Sequence, residues 1–234
     1  MQLLVNLLDF VVLVIILASL RQRLVYELSG TSLLLFGSTA PGLTLYSILV
    51  LPGTIIHELS HWIVAEVLGV RTGKITIFPD FSDNDNGSSR LGSVSTQRSD
   101  PFRAFLIGVA PFISGLTILA VLGAMLARGW HEFAWWIVAI MIYGVMVIGN
   151  SMMISKEDRR TWPFIIVIFS LLVVLVGKYY PSLIFDHTEQ YLSILRPLIS
   201  VLVVTAGLNL VMIVGCYAMR RLIERITGKR IIHK

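Results

Sequence analysis

A pentapeptide inside the second apolar stretch of the chain has the residue types and spacing of a metal site. His57-Glu58-Leu59-Ser60-His61 reads H-E-x-x-H. On a helix, positions i and i+4 lie on one face about one turn apart, so both imidazoles can reach one ion. Zinc accepts such nitrogen ligands in tetrahedral geometry. We predict one Zn²⁺ ion held by His57 and His61, with Glu58 as general base rather than ligand.

The surroundings of the motif are those of a membrane interior. His61 lies eight residues before Gly69, which is about 12 Å along a helix at about 1.5 Å per residue. Placing an acidic side chain such as that of Glu58 at this depth costs about 2.5–3.5 kcal/mol of insertion free energy. Ionisable residues inside a membrane are therefore expected to have a function. Pro52 and Gly53 precede the motif. We expect them to kink or break the helix and so to open a path for water.

Two imidazoles leave a catalytic zinc one protein ligand short. Acidic residues follow the fourth apolar stretch, where Glu157 and Asp158 stand side by side. We favour Asp158 as the third ligand, with Glu157 as its rival, because spacing alone does not separate the two. Membership of an ordinary charged cluster next to the membrane is the alternative for Asp158.

Together these residues resemble the site-2 protease family of intramembrane zinc metalloproteases. That family pairs a membrane-embedded H-E-x-x-H with a later N-x-x-P-x-P-x-x-D-G segment, and here Asn150 and Asp158 stand eight apart as in that pattern. The resemblance implies that Asp158 rather than Glu157 completes the zinc site. It also implies that Asn150 acts near the reacting carbonyl or holds the substrate, whereas a helix-packing hydrogen bond is the simpler role.

The resemblance extends over roughly residues 47–162 and has plain departures. Met153 and Ser155 replace the two prolines, and Arg159 replaces the glycine after the aspartate. These changes leave the ligand chemistry intact and alter the expected backbone shape. The segment Gly108–Gly115 is similar to the proline-containing, small-residue helix of that family, although close helix packing alone also explains it.

The amino-acid composition indicates whether the protein folds in water or in a membrane. Of 234 residues, 56% are hydrophobic and 14% charged, against about a quarter charged in soluble domains. A soluble globular enzyme is therefore excluded, and we predict an integral, multi-pass membrane protein that contacts the lipid bilayer and binds no nucleic acid. The single cysteine, Cys216, excludes a disulfide framework.

Six stretches approach the length of about 20 apolar residues that a membrane-spanning helix requires. They are Leu3–Leu20, Leu43–Leu68, Ala104–Leu126, Phe133–Ile154, Trp162–Val176 and Leu195–Met219. The predicted fold is an all-α membrane protein of about six transmembrane helices, forming one domain over residues 1–234 with a catalytic core at about 43–163. The first stretch lacks a preceding positive charge, so we expect a retained helix rather than a signal peptide.

A polar segment separates the second and third stretches. Alternating residues at both of its ends enclose a run of turn formers, Asp80–Ser89, which predicts a β-hairpin over about 72–98. If six helices span the membrane, most of the nineteen Lys and Arg residues lie on the same side of the membrane as this segment. By the positive-inside rule, that side and both termini are predicted to be cytoplasmic.

The favoured function is hydrolysis of a peptide bond in or near a transmembrane segment of another membrane protein. A zinc-stabilised scaffold or chaperone that holds transmembrane helices without cutting them is the first alternative, and Glu58 argues against it because a scaffold needs no base. A zinc transporter is the second, weakened by the presence of one ligand cluster. The sequence leaves the substrate and the oligomeric state open.

Overall fold

Helices make up most of the computed structural model, which describes residues 2–76, 93–96, 99–153, 162–180, 182 and 187–228. Four helices in these ranges are long and apolar enough to cross a membrane, and two shorter apolar ones are α4 and most of α5. The chain is thus a largely helical membrane protein. The helices are α1 (Gln2–Phe36), α2 (Ala40–Val67), α3 (Pro101–Gly129), α4 (Trp135–Ser151), α5 (Trp162–Tyr179) and α6 (Thr188–Thr227).

Local chemistry explains where α3 begins. The Asp100 carboxylate accepts hydrogen bonds from the backbone N–H groups of Phe102 (3.1 Å) and Arg103 (3.0 Å), and Pro101 is the first residue of the helix. These bonds satisfy donors that have no partner inside the helix. Hydrogen bonding to the Arg103 N–H lowers the pKa of Asp100 below its ordinary value.

Pro52 does not interrupt α2, which is continuous from Ala40 to Val67. The helix is therefore not broken at Pro52, and the other expectation, a kink there, stays a prediction. Proline removes the backbone donor that would bond the Ile48 carbonyl, and the following carbonyl, that of Leu49, accepts a hydrogen bond from the Tyr143 hydroxyl of α4 at 2.7 Å. α4 thus contacts α2 in the turn before its proline.

The first helix continues well beyond the apolar stretch that predicted it. Its second half carries Glu27, which is completely buried and lies 2.7 Å from both Arg23 and Arg220. Burying a carboxylate requires such a partner. An ion pair between α1 and α6 therefore lies within a helix where the polar sequence predicted a connection.

The first and last long helices run parallel. Leu3 and Leu7 line the same groove as Tyr191 and Leu195, while Glu27 meets Arg220 near the other end of both helices. The N-terminal end of α1 and the C-terminal end of α6 thus lie at opposite ends of this pair. The prediction that both termini share one side assumed an even number of spans, and this packing does not agree with it.

Two short strands follow α2 and precede α3. β1 (Thr72–Thr76) and β2 (Ser93–Thr96) pair antiparallel, with Ile75 opposite Val94. Both strands contact α2. These positions agree with the two ends of the predicted β-hairpin, and the connection between them lies outside the described residues.

Candidate metal centre

The two histidines of the H-E-x-x-H motif face each other across one turn of α2. Their Nε2 atoms are 3.3 Å apart and their ring planes make an angle of 81°. Each Nδ1 contacts a backbone carbonyl at 2.7 Å, that of Ser151 for His57 and that of Ile107 for His61. A carbonyl only accepts, so both Nδ1 atoms carry the proton and donate it. Both Nε2 atoms are then acceptors in the neutral rings.

This separation fits a zinc ion. Two nitrogens bound to one zinc at about 2.0–2.1 Å, with a tetrahedral angle between them, lie about 3.3–3.4 Å apart. At 3.3 Å the two Nε2 atoms either share a proton, with one ring charged, or both bind a cation placed between them. Hydrogen bonds from Nδ1 to carbonyl groups are also the usual support of metal-binding histidines, because they fix tautomer and ring orientation.

A proline in α3 explains the support of His61. In a helix the carbonyl of Ile107 would accept from the N–H of residue 111, but Pro111 has none. The Ile107 carbonyl therefore accepts from His61 Nδ1 instead. The hydroxyls of Ser60 and Ser114 are hydrogen-bonded to each other at 2.7 Å. This bond connects α2 to α3 at the residue before His61.

The end of α4 supports His57 in the same way. Ser151 is the last residue of α4, and the last four carbonyls of a helix lack partners within it. The two helices approach closely because position 53 is glycine: a Cβ there would overlap the side chains of Ser151 and Val147. The end of α4 and the proline in α3 thus each leave one backbone carbonyl without a helical donor, and each of these carbonyls accepts from one imidazole.

Glu58 and a small cavity complete the part of the centre that is described. The Glu58 side chain is buried, with 6% of its surface exposed. The cavity lies against His57, is lined by residues that include Gly53, Gly115 and Ser151, and has room for about one water molecule. A carboxylate, two imidazoles and a water-sized space therefore occur within one turn of α2 and its neighbours.

Asn150 adjoins this centre in sequence, but its side chain contacts α6. Its amide Nδ2 donates to the Met146 carbonyl at 2.8 Å and to Oδ1 of Asn209 at 2.9 Å. Sequence reasoning missed Asn209. The available signal was an amide in the middle of the sixth apolar stretch, where a polar side chain requires a partner on another helix.

The predicted third ligand is not part of the described structure. Asp158 and its rival Glu157 both lie outside the described residues, so their positions relative to the imidazoles stay a prediction. Within the ranges that are described, no group of three or more His, Cys, Asp or Glu side chains forms a metal site. The described metal-binding groups are thus the two imidazoles, and Glu58, which follows His57 in α2, is not grouped with them as a third ligand.

Comparison of the chain with family models, with curated proteins and with solved structures found no match. The functional argument consequently depends on the chemistry of the residues themselves.

Proposed function

We propose that the protein is an intramembrane zinc metalloprotease that cuts a peptide bond in or near a transmembrane segment of another membrane protein. The observation that carries this proposal is the pair of imidazole Nε2 atoms at 3.3 Å, each ring oriented by a carbonyl on its Nδ1. The buried Glu58 next to them supports an enzyme rather than a scaffold, since a purely structural zinc site needs ligands and no base.

Each residue of the site has a separate task in the proposed reaction. His57, His61 and Asp158 would hold the ion. When bound, zinc polarises a carbonyl and makes water a nucleophile near neutral pH. Glu58 takes the proton of the attacking water and then gives it to the leaving amine. Asn150 receives no direct step, because its amide Nδ2 donates to the Met146 carbonyl and to Asn209 Oδ1; it acts through the end of α4, next to the carbonyl that orients His57.

The end of α2 that carries His61 is proposed to face the cytoplasm. The segment between α2 and α3 holds Arg71, Lys74, Arg90 and Arg98, and such an excess of basic residues is typical of cytoplasmic loops. The N-terminal end of α1 belongs to the same side, because α1 and α2 pack antiparallel: Gly42, at the start of α2, lies against Leu28 and Ser32 in the second half of α1.

Metal removal gives the direct test of the function. We expect the purified protein in detergent to contain about one zinc ion per chain and to cleave a transmembrane peptide substrate. A chelator should abolish cleavage, and added Zn²⁺ should restore it, because the imidazole pair alone does not activate water. Zinc content by mass spectrometry and product formation by gel are the measurements. Full zinc content without cleavage of any transmembrane substrate would favour the scaffold.

The strand β2 is proposed to hold the substrate in extended form. A peptide bond within a helix is shielded, so cleavage requires local unwinding, and an exposed strand edge can pair with the extended backbone. The two strands lie against α2, the helix of the H-E-x-x-H motif. A substrate segment paired with β2 would therefore lie close to the end of the catalytic helix.

Replacing Val94 by proline tests this substrate interaction. Proline removes a backbone donor from β2, so cleavage should fall several-fold while zinc content remains that of the wild type. Val94→Thr is the matched control, because threonine favours strand as valine does, and it should cleave normally. Unchanged cleavage by Val94→Pro would reject the role of β2.

A further inference from the structure

A buried pair of amides joins α6 to the end of α4. Asn209 is completely buried and Asn150 is 2% exposed. Asn150 Nδ2 donates to Asn209 Oδ1 at 2.9 Å. The backbones also approach closely next to this bond, since a Cβ on Gly149 would overlap the side chain of Thr205. These contacts fix the last turn of α4 against α6.

The pair is a costly way to pack two helices. Two facing amides can exchange two hydrogen bonds, but here Asn150 Oδ1 and Asn209 Nδ2 have no hydrogen-bond partner within the described part of the chain. An amide group buried without its full set of bonds is unfavourable, whereas two apolar side chains of similar shape would pack here without that penalty. Stability alone therefore does not account for these two residues.

The bond leads directly to the metal centre. Asn150 is followed by Ser151, the residue that ends α4. The Ser151 carbonyl accepts from His57 Nδ1 at 2.7 Å. A shift of the last turn of α4 would move this carbonyl and release the ring of His57. Asn209 is thus linked to the imidazole through one side-chain hydrogen bond, the backbone between Asn150 and Ser151, and the Ser151 carbonyl.

We propose that Asn209 is a positioning residue of the metal centre. It holds the end of α4 in the place where the Ser151 carbonyl orients His57, and so keeps His57 Nε2 directed at the ion. This inference rests on the proposed function, because it assumes that His57 and His61 bind zinc. It adds a residue from the last helix to a centre otherwise built from α2, α3 and α4.

Zinc affinity measures this role without any substrate. The full-length Asn209→Leu variant, titrated with Zn²⁺ against a chromogenic chelator in detergent, should bind several-fold more weakly, less than the about 10–100-fold that follows loss of the group bonded directly to a ligand, because the Ser151 carbonyl is displaced rather than removed. The visible spectrum of the Co²⁺-substituted variant should also change, because the orientation of one ligand changes. Thr205→Val is the matched control, since the Thr205 hydroxyl donates only to its own helix, to Val201. It should match the wild type in both measurements.

Two further variants separate positioning from simple loss of stability. Ile213→Ala shortens another buried side chain of α6, in the cluster with Leu24 and Val50 and away from α4, and should lower the melting temperature with little effect on zinc affinity. The double variant Asn150→Leu/Asn209→Leu removes both incompletely bonded amides and should recover stability, yet its zinc affinity should stay low. Recovery of affinity together with stability would overturn the inference.

The possible failures are distinguishable. Wild-type zinc affinity and Co²⁺ spectrum in Asn209→Leu would overturn the role of Asn209 and leave the proposed function standing. Equal weakening of zinc binding in Ile213→Ala would also overturn it, because the effect would then follow from lower stability of the whole fold. A wild-type protein that binds no zinc would overturn the proposed function and this inference together.

Discussion

Replacing Glu58 by glutamine is expected to leave zinc content near that of the wild type and to reduce cleavage by about 10²–10⁴-fold, the usual contribution of a general base. Glutamine keeps the size of the buried side chain and its capacity for hydrogen bonding, but it does not accept a proton. The ligands His57 and His61, with their carbonyl partners, are untouched. Zinc by mass spectrometry and single-turnover cleavage of a transmembrane peptide are the measurements.

The control for Glu58→Gln is Glu66→Gln on the same helix. Glu66 is exposed and its carboxylate accepts from the Thr72 hydroxyl at 2.8 Å, so its loss should leave both zinc and cleavage unchanged. A Glu58→Gln variant that cleaves like the wild type would remove Glu58 from the mechanism. A variant that loses zinc as well would show instead that the carboxylate holds the centre together.

The apolar stretches predicted where the helices of the structure lie. They underestimated the length of α1, whose second half contains a buried charged residue. Hydrophobicity indicates where lipid surrounds a helix, and so it ended the first helix near Leu20. The structure continues to Phe36 because Glu27 is buried against Arg220. These two residues are 193 positions apart in the chain. No local pattern reveals such a partner, and the parallel packing of α1 and α6 follows from the same unseen contact.

The motif residues were predictable because H-E-x-x-H is a local pattern. The groups that orient the two histidines were only partly predictable. Pro111 was visible in the sequence, and its missing N–H implies a carbonyl that needs another donor. That His61 is this donor depends on how α2 and α3 pack. Asn209 was likewise visible as an amide in an apolar stretch, but its pairing with Asn150 required the fold. The sequence thus gives candidate polar residues, and the packing of the helices determines which of them contact each other.

Replacing Asp158 by alanine is expected to weaken zinc binding by more than the about 10–100-fold that follows loss of an outer-shell partner. The two imidazoles alone leave the usual three-ligand set of a catalytic zinc incomplete. Chain length permits the contact: Ser151 already lies at His57, and seven residues extend at most about 23–25 Å. Chelator competition gives the affinity, and cleavage should fall with zinc occupancy at low zinc concentration.

Glu157→Ala is the matched variant, because it removes a carboxylate from the neighbouring position and should bind zinc like the wild type. The reverse result, with zinc lost only in Glu157→Ala, would transfer the ligand role to Glu157 and remove the strongest link to the resemblance. If both single variants and the double variant retained wild-type affinity, the third ligand would lie elsewhere. The two imidazoles on α2 would then need a different partner, since a two-nitrogen site does not hold a catalytic zinc by itself.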